Sequence, residues 1–186
     1  MTSLTIQLLA FAIASVPVAW ISWRSLKSHK NHGFYRFFSW ECILWLLILQ
    51  VPVWFRHPLA WHQIISWILL IVCCYPVLAA VYQLKKAGRA SKNRDDSSLY
   101  TFESTTTLVT SGIFRYIRHP MYTSLILLAW GIAMKQPTIH ALLVTLLATI
   151  LLVLTGIMEE AEDIAFFGDS YHEYMKKTKR FLPWIY

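Results

Sequence analysis

The amino-acid sequence predicts an all-α integral membrane protein of five transmembrane helices, ending in a helical hairpin and an interfacial C-terminal helix. Three observations carry this. The chain is 56% hydrophobic over 186 residues, with a mean hydropathy of +0.47, which is more than one soluble core of that size requires. Its apolar residues fall into unbroken runs of bilayer-spanning length. All but Arg56 and Lys135 of its 17 lysines and arginines lie in segments that a single topology gathers on one side of the membrane.

The first run, residues 4–23, is about as long as the ~20 residues that cross a bilayer. It lacks a basic leading region and a small-residue cleavage signal, so it is expected to be a retained span and not a removed signal peptide. Runs at 37–55, 60–84, 121–134 and 138–158 supply four more. The fourth would rise only about 21 Å, short of the ~30 Å hydrocarbon core. It must borrow flanking residues or lie in a thinned or protein-lined region. Lys135, Gln136 and Pro137 make the tight turn into the fifth, which closes the hairpin. Cys42, Cys73 and Cys74 all fall inside apolar runs and read as small buried hydrophobes, with no disulfide or zinc framework.

Cytoplasmic loops collect lysine and arginine. The expected topology therefore has the N-terminus outside and, after an odd number of spans, the C-terminus in the cytoplasm. The net charge of +7 then reads as membrane orientation plus attraction to anionic headgroups. Nucleic acid is not an expected partner, because no basic face stands free of the membrane.

The one long polar interior segment, KKAGRASKNRDDSSLYTFESTTT (85–107), leads into RYIRHPMYTS (115–124). A proline at the first helical position costs no hydrogen bond, so Pro120 marks a helix start, with Arg118 and His119 at its cytoplasmic mouth. Taken singly, Arg118 reads as a snorkelling cation, His119 as a polar cap and Tyr122 as an aromatic anchor. The fifth span changes that balance, because it ends in Met158, Glu159, Glu160, Ala161, Glu162 and Asp163 on the same side. Counted from the turn, Pro120 lies about 24 Å down one arm and Glu159 about 33 Å down the other, a mismatch that tilt or a ragged end can absorb. The carboxylates and the Arg-His pair are expected to share one pocket, with Tyr122 and Tyr116 nearby. That mixture suits a zwitterionic, aromatic-bearing ligand, and ionisable clusters at membrane depth mark function.

Other polar residues read more plainly. A second RHP, at Arg56, His57 and Pro58, has no tyrosine two residues after the proline and lies on the external side, as an interhelical turn. His29 and His32 read as headgroup contacts, His172 as a surface residue, and no metal site is expected, since ligand-type partners do not follow at the required spacing.

The run TLVTSGIFRYIRHPMY (107–122), the apolar hairpin, the Glu159-Glu160 pair and FFGDSYHEYMKKTKRFLP (166–183) together resemble the isoprenylcysteine carboxyl methyltransferase family and its relatives among the phospholipid methyltransferases. The resemblance covers residues from about 99 to 183. It implies an integral membrane enzyme that uses S-adenosylmethionine, with an N-terminal three-helix membrane region (1–84) and a catalytic region (85–186). It further implies that Thr106, Thr107, Leu108 and Val109 wrap the cofactor and that Gly112 allows the turn. His119, Pro120, Met121 and Tyr122 would line the same site, and Glu159 would reach in from the fifth span. Phe114 stands where the family usually has tyrosine. Tyr122, Glu160 and Arg118 are the expected catalytic residues. Thr155 stands where the carboxyl methyltransferases have an arginine, a clamp for an acceptor carboxylate.

The expected reaction is methyl transfer to a lipophilic acceptor arriving from the bilayer: an isoprenylcysteine carboxylate, a phospholipid amine or a small thiol. The tail, 166–183, is expected to form an amphipathic helix. Phe166, Phe167, Tyr171 and Tyr174 would face lipid or the pocket, and Lys176, Lys177, Lys179 and Arg180 would meet headgroups. Two alternatives are an NADPH-dependent reductase on a related membrane fold and a non-enzymatic small transporter or membrane partner. The short chain and the glutamate pair weigh against the first, and the scarcity of polar residues in the first three spans against the second.

Overall fold

The computed structural model describes residues 3–29, 31–87 and 107–183. Among these residues the chain forms α1 (Ser3–Ser22), α2 (His32–Gln50), α3 (Trp61–Val72), α4 (Cys74–Ala87), α5 (Pro120–Ala133), α6 (Ile139–Phe167) and α7 (Asp169–Lys177), and no strand beyond one isolated bridge. Four segments are long and apolar enough to cross a bilayer, Leu4–Ser22, His32–Val53, Trp61–Lys86 and Ile139–Phe167, with the shorter α5 among them. The protein is thus an all-α membrane protein, as its composition predicts.

The third apolar run is broken at Cys73 into α3 and α4. Pro76 explains the break, because it cannot donate to the turn behind it and its ring crowds the carbonyl four residues back. Ser124 of α5 donates to the Cys73 carbonyl at 2.6 Å, satisfying a backbone group that lipid could not.

The shortness of α5 is resolved by its surroundings. Its 14 residues bury Tyr122, Thr123, Ser124, Ala129, Gly131, Ile132 and Ala133, and it packs against α2, α3, α4 and α6. Protein walls this helix, so it need not match the bilayer by length. The turn that follows departs from expectation, since Lys135 is only 1% exposed. Its ammonium lies 3.3 Å from the Trp67 ring centroid and 4.8 Å from that of Trp54, and donates to Gln63 Oε1 at 3.2 Å. Aromatic faces and an amide replace the water this cation would otherwise need.

Helix α6 starts at Thr138, whose hydroxyl accepts from the Ala141 N–H. Its 29 residues span about 44 Å, so its acidic last turns project beyond a ~30 Å apolar core. It ends at Gly168, whose φ of +58° suits a residue without Cβ. The expected tail helix over 166–183 is therefore divided. Phe166 and Phe167 complete α6, nine residues form α7, and the chain continues as an extended strap from Thr178.

Candidate active site

Backbone pairing frames the site. After the 3-10 turn Gly112–Arg115, the chain meets the C-terminal strap. The Lys179 N–H donates to the Tyr116 carbonyl (3.1 Å), the Arg118 N–H to that of Lys179 (2.8 Å) and the His119 N–H to that of Arg180 (3.1 Å). Pro120 then opens α5, bringing Arg118 and His119 up against α6.

Three cationic side chains converge on Glu160, which is 3% exposed. Arg118 Nε (2.7 Å) and His119 Nε2 (3.2 Å) reach its Oε1, while Arg180 donates Nε to Oε1 (3.1 Å) and Nη2 to Oε2 (2.7 Å). Arg118 Nη1 also donates to the Thr178 carbonyl at 2.6 Å, binding the strap to the cluster. The other His119 nitrogen, Nδ1, lies 3.2 Å from Glu159 Oε2. Burial alone would lower the His119 pKa. Hydrogen bonds to Glu159 and Glu160, with their charges, outweigh burial and raise it above the ordinary histidine value. The ring is then a cation at neutral pH, donating from both nitrogens.

Aromatic rings hold that imidazole in place. Tyr122 stacks on it at 5.5 Å and 18°, and Phe181 of the strap packs at 5.8 Å. Gly156 permits this approach, since a Cβ there would come within 3.0 Å of Phe181 Cζ and 3.4 Å of His119 Cδ2.

Beside the cluster opens a partly enclosed chamber. Arg118, His119, Tyr122, Glu159 and Asp163 form its polar wall, and Leu84, Leu108, Val109, Phe114, Met121 and Phe167 its apolar one. Tyr171 and Tyr174 close it from α7, and the Tyr174 hydroxyl donates to the Phe114 carbonyl at 2.7 Å. Burial pushes both tyrosine hydroxyls up, and the charge of Asp163 adds to it, so both stay neutral donors.

Most of the sequence-predicted residues meet here: Leu108, Val109, Phe114, Arg118, His119, Pro120, Met121, Tyr122 and Glu159 all line the chamber. Glu160 does not line it and stands behind, enclosed by its cations. Thr107 is exposed and off the chamber wall, and Thr106 lies outside the described residues. Gly112 and Tyr116 line a groove on the opposite face of the same segment, so Tyr116 is not part of the pocket it was expected to join. His32 is fully buried, not at the headgroups; its backbone N–H and Nδ1 meet the Glu162 carboxylate at 3.0 and 2.6 Å. Of the carboxylates expected to share the pocket, Asp163 lines it and Glu162 does not; sequence reasoning missed Leu84 and left Phe167, Tyr171 and Tyr174 undecided between lipid and pocket. A signal existed, because Glu159, Asp163 and Phe167 recur every fourth residue on one face of α6.

Fold and chamber together define a class: a helical membrane protein with a chamber lined by both signs of charge at the basic end of its bundle. The family model for phospholipid methyltransferase matches residues 61–170, and the chain belongs to that family. The match starts at Trp61, so α3 and α4 share in a likeness that by inspection began near residue 99. Among curated relatives, Protein-S-isoprenylcysteine O-methyltransferase of Schizosaccharomyces pombe is 38% identical over 79 residues, 42% of this chain and 34% of that protein. Methanethiol S-methyltransferase 1 of Bradyrhizobium diazoefficiens is 31% identical over 72 residues, 39% of this chain and 25% of that protein. Methanethiol S-methyltransferase of Pseudomonas deceptionensis is 30% identical over 71 residues, 38% and 26% respectively. The chain spans about a third or less of the length of the curated relatives it matches. No solved structure matches it.

Proposed function

We propose that the protein is an S-adenosylmethionine-dependent methyltransferase acting on a lipophilic acceptor that arrives from the bilayer, with chamber and C-terminus facing the cytoplasm. The observation that carries this is the convergence of Arg118 and His119, from the start of α5, with Glu159 and Asp163, from the exit of α6, on one chamber. The donor set suits the cofactor, which brings a carboxylate, an ammonium, ribose hydroxyls and a purine. Arg118 Nη2, which has no partner among the described residues, is assigned the carboxylate. Glu159 and Asp163 accept from the ammonium and ribose hydroxyls, and Leu108, Val109 and Phe114 flank the purine. When bound, S-adenosylmethionine supplies an electrophilic methyl group open to direct displacement.

The chain's own work is alignment and exclusion of water. His119 holds Glu159 in one orientation and so acts as a positioning residue. Glu160, behind the chamber wall, orders Arg118, His119 and Arg180, so its expected catalytic role becomes that of a positioning residue. An acceptor that must lose a proton would pass it through the Tyr122 hydroxyl, which hands its own proton to the Glu159 carboxylate it donates to, whereas a thiolate or carboxylate needs no protein base. Thr155 is fully buried and donates back to the Leu151 carbonyl at 2.7 Å, so this position supplies no cation where the carboxyl methyltransferases have an arginine. This favours a thiol or amine acceptor over a carboxylate, and two of the three relatives are named as acting on a thiol.

Calorimetry in detergent tests the reading: S-adenosylhomocysteine should bind and NADPH should not. Binding of NADPH alone would transfer the assignment to a reductase. Radiolabelled S-adenosylmethionine, offered with a total lipid extract, prenylcysteine analogues and small thiols, then identifies the acceptor by which fraction gains the label.

A further inference from the structure

A second cavity opens on the opposite face of the segment that carries Arg118 and His119. This open groove runs between α4, the Gly112–Arg115 turn and the strap. Its walls carry Tyr75, Tyr82 and Tyr116, which are 71%, 65% and 52% exposed, so large aromatic faces are left uncovered among the described residues. Tyr75 and Tyr82 are two helical turns apart, about 10 Å along α4, with Pro76 and Ala79 between them on the floor. The groove therefore extends from the apolar interior of the bundle to its basic end. Arg115 is the one charged residue on its described walls, no carboxylate lines it, and Lys86 Nζ stands 5.9 Å from the Tyr82 ring at its mouth.

An apolar floor, tyrosines along the sides and cations at one end match an amphiphile with acyl chains and an anionic head. We infer that this groove binds a phospholipid with an anionic headgroup, drawn from the leaflet at the basic end of the bundle, with its phosphate at Arg115 and Lys86 and a chain along Tyr75 and Ala79. This lipid is distinct from a methyl acceptor, because groove and chamber share no lining residue. It also has a structural effect. The groove is walled by Tyr116 and Ile117 on one side and Phe181 and Leu182 on the other, the two segments whose backbone pairing holds the cluster. A seated lipid braces that pairing.

The test needs no assumption about catalysis. The full chain is reconstituted in nanodiscs of phosphatidylcholine with 30% phosphatidylglycerol, about a third of the lipid, released, and weighed by native mass spectrometry. The wild type should retain one phosphatidylglycerol in preference to phosphatidylcholine. Arg115→Gln should lower that retention about fivefold, the scale of one basic residue at an anionic surface. Ala79→Trp, which keeps every charge but fills the floor, should lower it as well. Hydrogen exchange at the Arg118 and Lys179 amides should slow in the phosphatidylglycerol discs and not in phosphatidylcholine alone. Equal retention of the two lipids, or retention unmoved by both variants while each keeps the wild-type melting temperature, would overturn the proposal. Loss in Arg115→Gln with full retention in Ala79→Trp would also overturn it, as that describes charge attraction without a groove.

Discussion

His119 Nδ1 stands 3.2 Å from Glu159 Oε2 while His119 Nε2 stands 3.2 Å from Glu160 Oε1, so one imidazole bridges two consecutive carboxylates of α6. The bridge separates their tasks. Glu159 faces the chamber, and Glu160 is retained by the arginines behind it.

Glu159→Gln should weaken S-adenosylhomocysteine binding about 10- to 100-fold, the range of a lost hydrogen bond to a charged group. Titration calorimetry measures it. An affinity within twofold of wild type would remove Glu159 from the cofactor site.

Glu160→Gln should act on stability instead. It leaves three cations facing a neutral amide at a buried position, and breaking a buried ion pair costs roughly 3–5 kcal/mol. A marked drop in the melting temperature in detergent is expected. Arg180→Gln should cost less, because its side chain is the more exposed of the two arginines at 18% against 8%.

The pH dependence follows from the sign of one shift. The folded pKa of His119 is raised, so its stabilising contribution is full below the ordinary histidine value near 6.5. It is lost only as the pH climbs through the raised native value. Cofactor affinity and melting temperature should therefore hold level from mildly acidic to neutral pH and decline on the alkaline side. His119→Gln should abolish that alkaline decline, which a melting series across pH would record.

Gly156→Leu should destabilise the protein by about 1–3 kcal/mol or more by overpacking, since even a Cβ would crowd Phe181 and His119. Gly168→Ala tests the contrast. No atom lies within 4 Å of a Cβ built there, so its cost is set by backbone conformation alone: φ +58° with ψ −134° lies outside the left-handed helical region, and a side chain there costs about 1–3 kcal/mol. Comparing the two melting shifts separates crowding from strain.

The helices were legible in the sequence wherever hydrophobic runs set their length, and the hairpin because Lys135, Gln136 and Pro137 interrupt one. The convergence of Arg118, His119 and Glu159 was legible too, because two arms of known rise meet at one turn. Three features were not. Cys73 ends α3 within an uninterrupted apolar run, where hydropathy gives no sign and only Pro76 hints at a break. Arg180 was read as a headgroup contact, yet a backbone pairing more than sixty residues away in sequence from Arg118 draws it onto Glu160. Lys135 was read as a turn residue, and its burial depends on Trp54, Trp67 and Gln63 arriving from elsewhere in the chain. Local pattern encodes which segments enter the membrane, whereas the partners of buried charges depend on tertiary arrangement.

A 14-residue helix that depends on its neighbours for walls has consequences for biogenesis. While α5 emerges during synthesis, it is too short to settle in lipid alone, and its turn carries a lysine whose aromatic shelter must already be folded. The insertion machinery must then release α5 and α6 as a pair, after α2 and α3 are in place. Ribosome pausing before α6 is complete would leave a half-hairpin exposed to quality control, so codon changes that alter elongation there should change yield without altering the finished protein.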